Sequence, residues 1–246
     1  MSNVLDDRVR SARVADRLAA WLSSPRMPAA LRSRIIRQFH RPVGPLGHLS
    51  GWIMANRTSN VDRNRWVVEQ LDVRPTDRVL EIGFGPGVAI EALAARLTEG
   101  VIVGVDHSPL MTRTAHRRNA RAVAAGRVIV RTGEVADVTT IVDDDGLRPL
   151  DLVLAVNNLG TWPDPPGQLR RILPLLRPGG RVAIGTQPRS DGADADIARR
   201  AAEQTATLLA DAGFDAIETR NLALDPPMML VIGSRPDGPQ SLVEID

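Results

Sequence analysis

The stretch Val79-Leu80-Glu81-Ile82-Gly83-Phe84-Gly85-Pro86-Gly87 constrains the fold more than any other part of this chain. Val79, Leu80 and Ile82 are the aliphatic run of a strand covered on both faces. Gly83 and Gly85 allow a sharp turn and leave no Cβ between the backbone and a ligand. Pro86 suits the first position of a helix, where its missing N–H costs nothing. Val88, Ile90, Leu93 and Leu97 then mark an apolar face and predict a helix over 86–97. Strand, glycine turn and helix in this order form the unit with which open α/β sheets bind nucleotides.

The pattern repeats. Strands are predicted at 78–82, 101–105, 128–130, 151–156 and 181–186, separated by helices at 86–97, 108–125 and 167–176, which argues a parallel sheet. Ser108-Pro109 is a cap followed by a first-turn proline. Residues 134–149 hold at most a short helix before the Asp143-Asp144-Asp145-Gly146 turn. A helix over 193–212 precedes two closing strands, 214–220 and 228–234, joined at Asp225-Pro226-Pro227. Residues 1–72 read as helices without strands. One apolar face runs through Val14, Leu18, Trp21 and Leu22, and a second through Leu31, Ile35, Ile36 and Phe39. Residues 42–47, rich in proline and glycine, read as a loop. Helices around Trp52 and Trp66 follow it. The organisation is a helical cap over 1–72, an α/β domain over 73–236 and a loose polar tail over 237–246.

The glycine spacing tests the identity of the ligand. A dinucleotide fingerprint G-x-G-x-x-G needs a third glycine, yet Val88 or Ile90 stands there in either register. The pattern Glu81-x-Gly83-x-Gly85-x-Gly87 instead resembles the first motif of class I S-adenosylmethionine-dependent methyltransferases. Leu176-Arg177-Pro178-Gly179-Gly180 is similar to the turn before their fifth strand, and the closing strand pair to their C-terminal hairpin. The strings Gln38-Phe39-His40-Arg41-Pro42 and Arg63-Asn64-Arg65-Trp66 resemble actinobacterial small-molecule enzymes of this class with an N-terminal cap. The resemblance implies a Rossmann-like, seven-stranded, mostly parallel sheet of order 3-2-1-4-5-7-6 with helices on both faces. It implies S-adenosylmethionine as cofactor, S-adenosylhomocysteine as product and a small-molecule acceptor.

A carboxylate at the tip of the second strand can accept from both ribose hydroxyls, and Asp106 stands about 20 residues beyond the glycine turn; as a mere helix cap it is less suited than Ser108. His107 either stacks on the adenine or remains a surface imidazole. Gly83, Phe84, Gly85 and Gly87 are expected to line the ribose and amino-acid end by close backbone approach. Glu81 is a carboxylate inside an apolar strand and must have partners; the resemblance implies that it helps hold the methionine ammonium. It also implies that Glu134 and the Val135 N–H read the adenine, although the family more often has Asp at the first position. The Asn157 carbonyl is expected at the ammonium. Phe39, Trp52, Asn158 and Trp162 are candidates for the acceptor pocket, with core packing an equal reading for Trp162. An acceptor that must lose a proton needs a base. His40 and His48, which flank the proline–glycine loop, are the candidates, with a structural role as the alternative. His116 sits among arginines on a helix.

Composition narrows the rest. The 246 residues include no cysteine, which excludes disulfides and thiolate metal sites. No His/carboxylate cluster has metal-ligand spacing, so no metal is expected. Charged residues occupy the first turns instead of a signal-peptide core, and no run approaches the roughly 20 apolar residues of a membrane span; a cytoplasmic protein is expected. The sequence carries no signal for an oligomeric state. All 31 basic residues are Arg, and residues 1–70 carry 12 of them against 5 acids, so the cap is basic and the remainder acidic. That bias motivates the alternative of an RNA methyltransferase, but Asn157-Asn158-Leu159-Gly160 stands where a base-amino enzyme would carry its Pro-Pro motif, and a nucleic-acid partner is not expected. A cofactor-binding module without transfer activity is the non-enzymatic alternative, and a nicotinamide oxidoreductase a further one.

Overall fold

The computed structural model describes residues 2–22, 44–188 and 192–238. Three helices come first: α1 (Ser2–Leu22), α2 (Gly44–Asn56) and α3 (Thr58–Glu69). Then follow β1 (Arg78–Ile82), α4 (Val88–Ala94), β2 (Val101–Asp106), α5 (Pro109–Arg118), α6 (Ala120–Ala124), β3 (Val128–Thr132) and α7 (Val138–Asp144). The chain continues with β4 (Leu150–Val156), α8 (Pro165–Ile172), β5 (Leu176–Thr186), α9 (Ala195–Asp211), β6 (Asp215–Leu222) and β7 (Met228–Ser234). The predicted helix faces at Leu31, Ile35 and Ile36, and the tail beyond 238, lie outside the described residues.

The seven strands form one sheet in the order β3-β2-β1-β4-β5-β7-β6. β1 to β5 run parallel, and β7 inserts antiparallel between β5 and β6. Because successive strand residues point to opposite faces, the apolar strands build two cores. Leu80, Ile82, Val103, Val105 and Val153 pack beneath α7, α8 and α9. Val79, Ile102, Leu152, Leu154 and Ala183 pack beneath α3, α4, α5 and α6. Burying each large aliphatic side chain contributes about 1.5–3 kcal/mol, so the central strands are held from both sides. α3 packs on α4, α2 on α5, and α1 on both α2 and α3. The Asp16 carboxylate of α1 accepts from the Thr58 N–H (3.0 Å) and the Thr58 hydroxyl (2.7 Å), capping α3 from outside.

Several boundaries differ from the sequence expectations for local reasons. α4 starts at Val88, not Pro86, because Gly87 takes φ 75° as its N-cap and leaves Pro86 in the preceding turn. The predicted 108–125 helix is broken at Asn119, whose buried amide turns back to the Ala115 carbonyl (2.9 Å) and across to the Gly87 carbonyl (3.2 Å). α2 begins at Gly44, inside the predicted loop, with Pro45 in its first turn, where no N–H is missed. β5 begins at Leu176: it pairs with Leu150, residues 177–180 loop out, and pairing resumes at Arg181 opposite Leu152. Arg235 closes that excursion, accepting from Gly179 (2.9 Å) and donating to Gly180 (2.7 Å). On α1 the buried residues are Ala15 and Ala19, while Val14 and Trp21 are exposed. The small side chains allow close helix approach, and that decided the face. Ser108 caps α5 as expected, accepting from Met111.

Candidate functional site

The parallel strands end on one edge of the sheet, where the loops after β1, β2, β3 and β4 meet α3, the end of β5 and the β6–β7 turn. Together they enclose a crevice of about 1220 Å³. It opens where an α/β sheet of this kind takes its ligand, beyond the carboxyl ends of the strands.

One wall is the glycine turn and the tip of β2. The two oxygens of Asp106 accept from the Gly85 N–H (2.8 Å) and the Ser108 N–H (2.9 Å), so this single carboxylate ties the two loops together. Gly85 has φ 53°, and a Cβ there would meet nothing within 4 Å, so its backbone faces open crevice. At Gly83 (φ 68°) a Cβ would fall 2.2 Å from the Asn158 amide. Glycine is required there by packing as well as by backbone conformation. Phe84 lines the crevice through its backbone; its ring is buried against β2, and any Cβ on Gly104 would lie 2.6 Å from it. Gly87 does not line the crevice. A Cβ there would strike Ala115 at 2.7 Å and Asn119 at 2.8 Å, so Gly87 serves helix packing. Gly133, Glu134 and Val135 complete this wall, where Glu134 and Asp137 form a reciprocal capping box.

Charge on this wall is negative and poorly solvated. Glu81 is 2% exposed, and its Oε2 has no hydrogen-bond partner. Burial pushes the Glu81 carboxyl well above the usual carboxylate range, and the neighbouring Asp106 pushes it the same way. Burial also raises Asp106; its two backbone donors and His107 oppose the shift, and Glu134 adds to it. The His107 Nδ1 lies 3.7 Å from Asp106 Oδ1, with the ring over one third exposed at 36%. A cation brought beside these two carboxyls would favour their ionised forms and offset the cost of their burial.

The far wall was not foreseen. Arg63, read from the sequence only as part of a resemblance string, is 1% exposed and donates to Gln187 Oε1 (2.6 Å) and to Asn60 Oδ1. Gln187 also donates through Nε2 to the Pro226 carbonyl (2.8 Å) and through its backbone N–H to Asn157 Oδ1 (2.7 Å). One glutamine thus joins α3, the end of β4 and the β6–β7 turn. Asn157 adopts φ 57°, and its Nδ2 is buried without a partner. The only advance signal was position: Gln187 immediately follows the predicted fifth strand.

The remaining candidates separate. The Asn158 Nδ2 donates to the Ile82 carbonyl (2.5 Å), and its Oδ1 accepts from the Trp162 indole (3.0 Å). Both residues line the crevice, but both ends of this amide are engaged, and Trp162 is 7% exposed within the core under α7–α9. Trp52 and His48 line a different cleft between the N-terminal helices and α5, apart from the cofactor-side loops. His116 is exposed on α5. Phe39 and His40 lie outside the described residues. Among the described residues no helix is long and apolar enough to cross a membrane, and no group of three or more His, Asp or Glu is placed to hold a metal ion.

Residues 79–180 match the family model of a methyltransferase domain. Over 182 residues, 73% of this chain and 93% of the other, the chain is 29% identical to the methyltransferase YdaC of Bacillus subtilis strain 168. It is 31% identical over 132 residues to 27-O-demethylrifamycin SV methyltransferase of Amycolatopsis mediterranei, covering 52% of this chain and 46% of that protein. The chain thus spans nearly the whole of the Bacillus protein but less than half of longer curated relatives. Among solved structures, the S-adenosylmethionine-dependent methyltransferase SibL is similar in fold, with TM-score 0.60 over 96% of this chain and 76% of that one at 21% identity.

Proposed function

We propose that the chain, which carries a methyltransferase domain over residues 79–180, is a class I S-adenosylmethionine-dependent methyltransferase that methylates a small organic acceptor held between the glycine turn and the Arg63–Gln187 wall. The observation that carries this reading is the continuity of the crevice. At about 1220 Å³ it exceeds the roughly 300–1,000 Å³ of a single-ligand pocket, so one enclosure has room for a nucleoside and a second small molecule. The rifamycin-modifying relative is named for a small acceptor and supports the same choice.

In this reading Asp106 would hold the ribose hydroxyls, and the backbone of Gly83, Phe84 and Gly85 would line the ribose and amino-acid end. Glu81 and the Asn157 carbonyl would hold the ammonium. Glu134, the Val135 N–H and His107 would take the adenine. Gly87 is left to packing. The bound cofactor supplies a methyl carbon already activated by its sulfonium. The protein's task is therefore alignment of a nucleophile opposite the departing sulfur, and alignment alone is worth about 7–11 kcal/mol in well-oriented systems. The rigid part of that alignment is the Arg63–Gln187–Asn157 connection, which sets the distance between α3 and the end of β4. His48, in the other cleft, has no part in proton transfer here.

Calorimetry with S-adenosylhomocysteine tests the cofactor assignment. Wild type is expected to bind, and Asp106→Ala and Gly85→Arg to bind at least a hundredfold more weakly. Unchanged binding in both variants would reject these residues. Transfer of a labelled methyl group is then followed into low-molecular-weight and RNA fractions separately. Label in RNA, with affinity falling steeply with salt, would replace the small-molecule reading, and binding without any transfer would favour a non-enzymatic module.

A further inference from the structure

We propose that the acceptor carries a carboxylate on an apolar skeleton, seated by Arg57 on the crevice wall opposite the cofactor acids; this rests on the methyltransferase reading above. Fixed charge is divided across the crevice. Glu81, Asp106 and Glu134 line the cofactor side, whereas Arg57 and Arg63 line the other, joined there among the described residues only by the exposed Asp225. A cationic donor suits the first wall, and an anion suits the second.

The two arginines differ in what they are free to do. Arg63 is engaged with Gln187 and Asn60 and holds the wall together. Arg57 stands at the junction of α2 and α3, half-buried, and its guanidinium makes no hydrogen bond or ion pair with any described residue. The acid that caps the same junction, Asp16, has both oxygens on Thr58 instead. Of the turn's backbone donors, the Thr58 N–H goes to Asp16 and the Asn60 and Val61 N–H groups to the Arg57 carbonyl. The charged group the turn offers a ligand is the planar guanidinium fork, which matches a carboxylate with two parallel hydrogen bonds. Ile53, Met54, Leu224 and Pro226 also line the crevice, among the polar Ser59, Asn60 and Asn64. These apolar side chains offer contact to an organic skeleton that inorganic phosphate does not have, which favours an organic acid.

The test uses the full chain saturated with S-adenosylhomocysteine and four probes: benzoate and hexanoate, each against its amide, benzamide and hexanamide. Titration calorimetry is expected to show each acid binding at least tenfold more tightly than its amide. Arg57→Gln should abolish that preference, and Arg65→Gln, on the outer side of α3, should keep it. All three proteins should bind S-adenosylhomocysteine equally. Acids and amides binding alike, no binding of either, or a preference that survives Arg57→Gln would each overturn the proposal while leaving the cofactor assignment standing. Inorganic phosphate binding more tightly than benzoate would overturn the choice of a carboxylate. A wild-type chain that binds no S-adenosylhomocysteine would remove the earlier reading and this one with it.

Discussion

Two walls enclose the crevice, and they are made by different means. The cofactor wall comes from short loops, each directly continuing a strand: Gly83–Gly85 after β1, Asp106 at the tip of β2, Glu134 after β3. Two of its acids, Glu81 and Asp106, are buried and raised in pKa by that burial, while Glu134 is exposed. The opposite wall draws Arg57 and Arg63 from the N-terminal helices, Gln187 from the end of β5 and Pro226 from the hairpin turn, partners up to 124 positions apart in the chain. Its side chains are basic or amide-bearing and are tied together through Gln187, with the Asn157 Nδ2 left without a partner. One wall gathers buried carboxyls, and the other is a hydrogen-bonded set in which, among the described residues, the Arg57 guanidinium takes no part. In the proposed reading the first wall takes the cofactor and the second the acceptor.

If the walls divide the work in this way, damage to each should read out separately. The largest effect is expected from Asp106→Ala, which removes the acceptor for two backbone donors and, in the proposed reading, for the ribose. S-Adenosylhomocysteine affinity should fall at least a hundredfold, while Arg57→Gln leaves it unchanged; equal losses would erase the distinction between walls. Gly83→Val comes next. It forces a side chain onto the Asn158 amide at a backbone φ of 68°, where overpacking and strain each cost on the order of 1–3 kcal/mol. A loss of about 3 kcal/mol in urea unfolding is expected. Gln187→Leu strips partners from Arg63 and the Pro226 carbonyl and should destabilise by about 2 kcal/mol. Its effect on acceptor KM should exceed its effect on cofactor affinity; the reverse would assign Gln187 to the cofactor wall.

Glu81→Gln sharpens the comparison through pH. A carboxyl whose folded pKa is raised contributes stability below its unfolded value, about 4.3, and loses it as pH rises towards the folded value. The cofactor-free wild type should therefore lose stability between about pH 4 and neutrality, and Glu81→Gln should lose less. At pH 7 the variant should melt higher than wild type yet bind S-adenosylhomocysteine more weakly. A variant less stable than wild type at pH 7 would mean that Glu81 is not a strained group awaiting a cation. The smallest effect is expected from Trp162→Phe, which deletes one hydrogen bond to Asn158 and should cost about 1 kcal/mol with cofactor affinity nearly unaltered.

The cofactor wall was legible in the primary structure because local geometry makes it. A glycine pair after an aliphatic strand and an acid at the next strand's end are linked by the parallel pairing of β1 with β2, and that pairing brings Asp106 to Gly85. The strand succession likewise carried the order of the sheet once the family resemblance was seen. Misreadings came where a local signal had two outcomes. Pro86 read as a first turn and Pro45 as part of a loop; the fold placed Pro86 in the turn before a helix and Pro45 inside one. The apolar Val14 and Trp21 suggested a buried face, but close approach of α1 to α2 and α3 buried Ala15 and Ala19 instead. Gly87 looked like part of the ligand loop until its contact with Ala115 and Asn119 was visible.

By itself, then, the sequence determined the alternation of strands and helices, the glycine turn and the acid at the tip of β2, because each depends on residues within a few positions or on one strand's reach. Only the tertiary structure decided that Arg63, Gln187, Asn157 and Pro226 form one wall, that Trp52 and His48 belong to another cleft, and that the Arg57 guanidinium is without a partner among the described residues. Those facts are sums over side chains brought together by folding, and no spacing along the chain encodes which donor will find which acceptor.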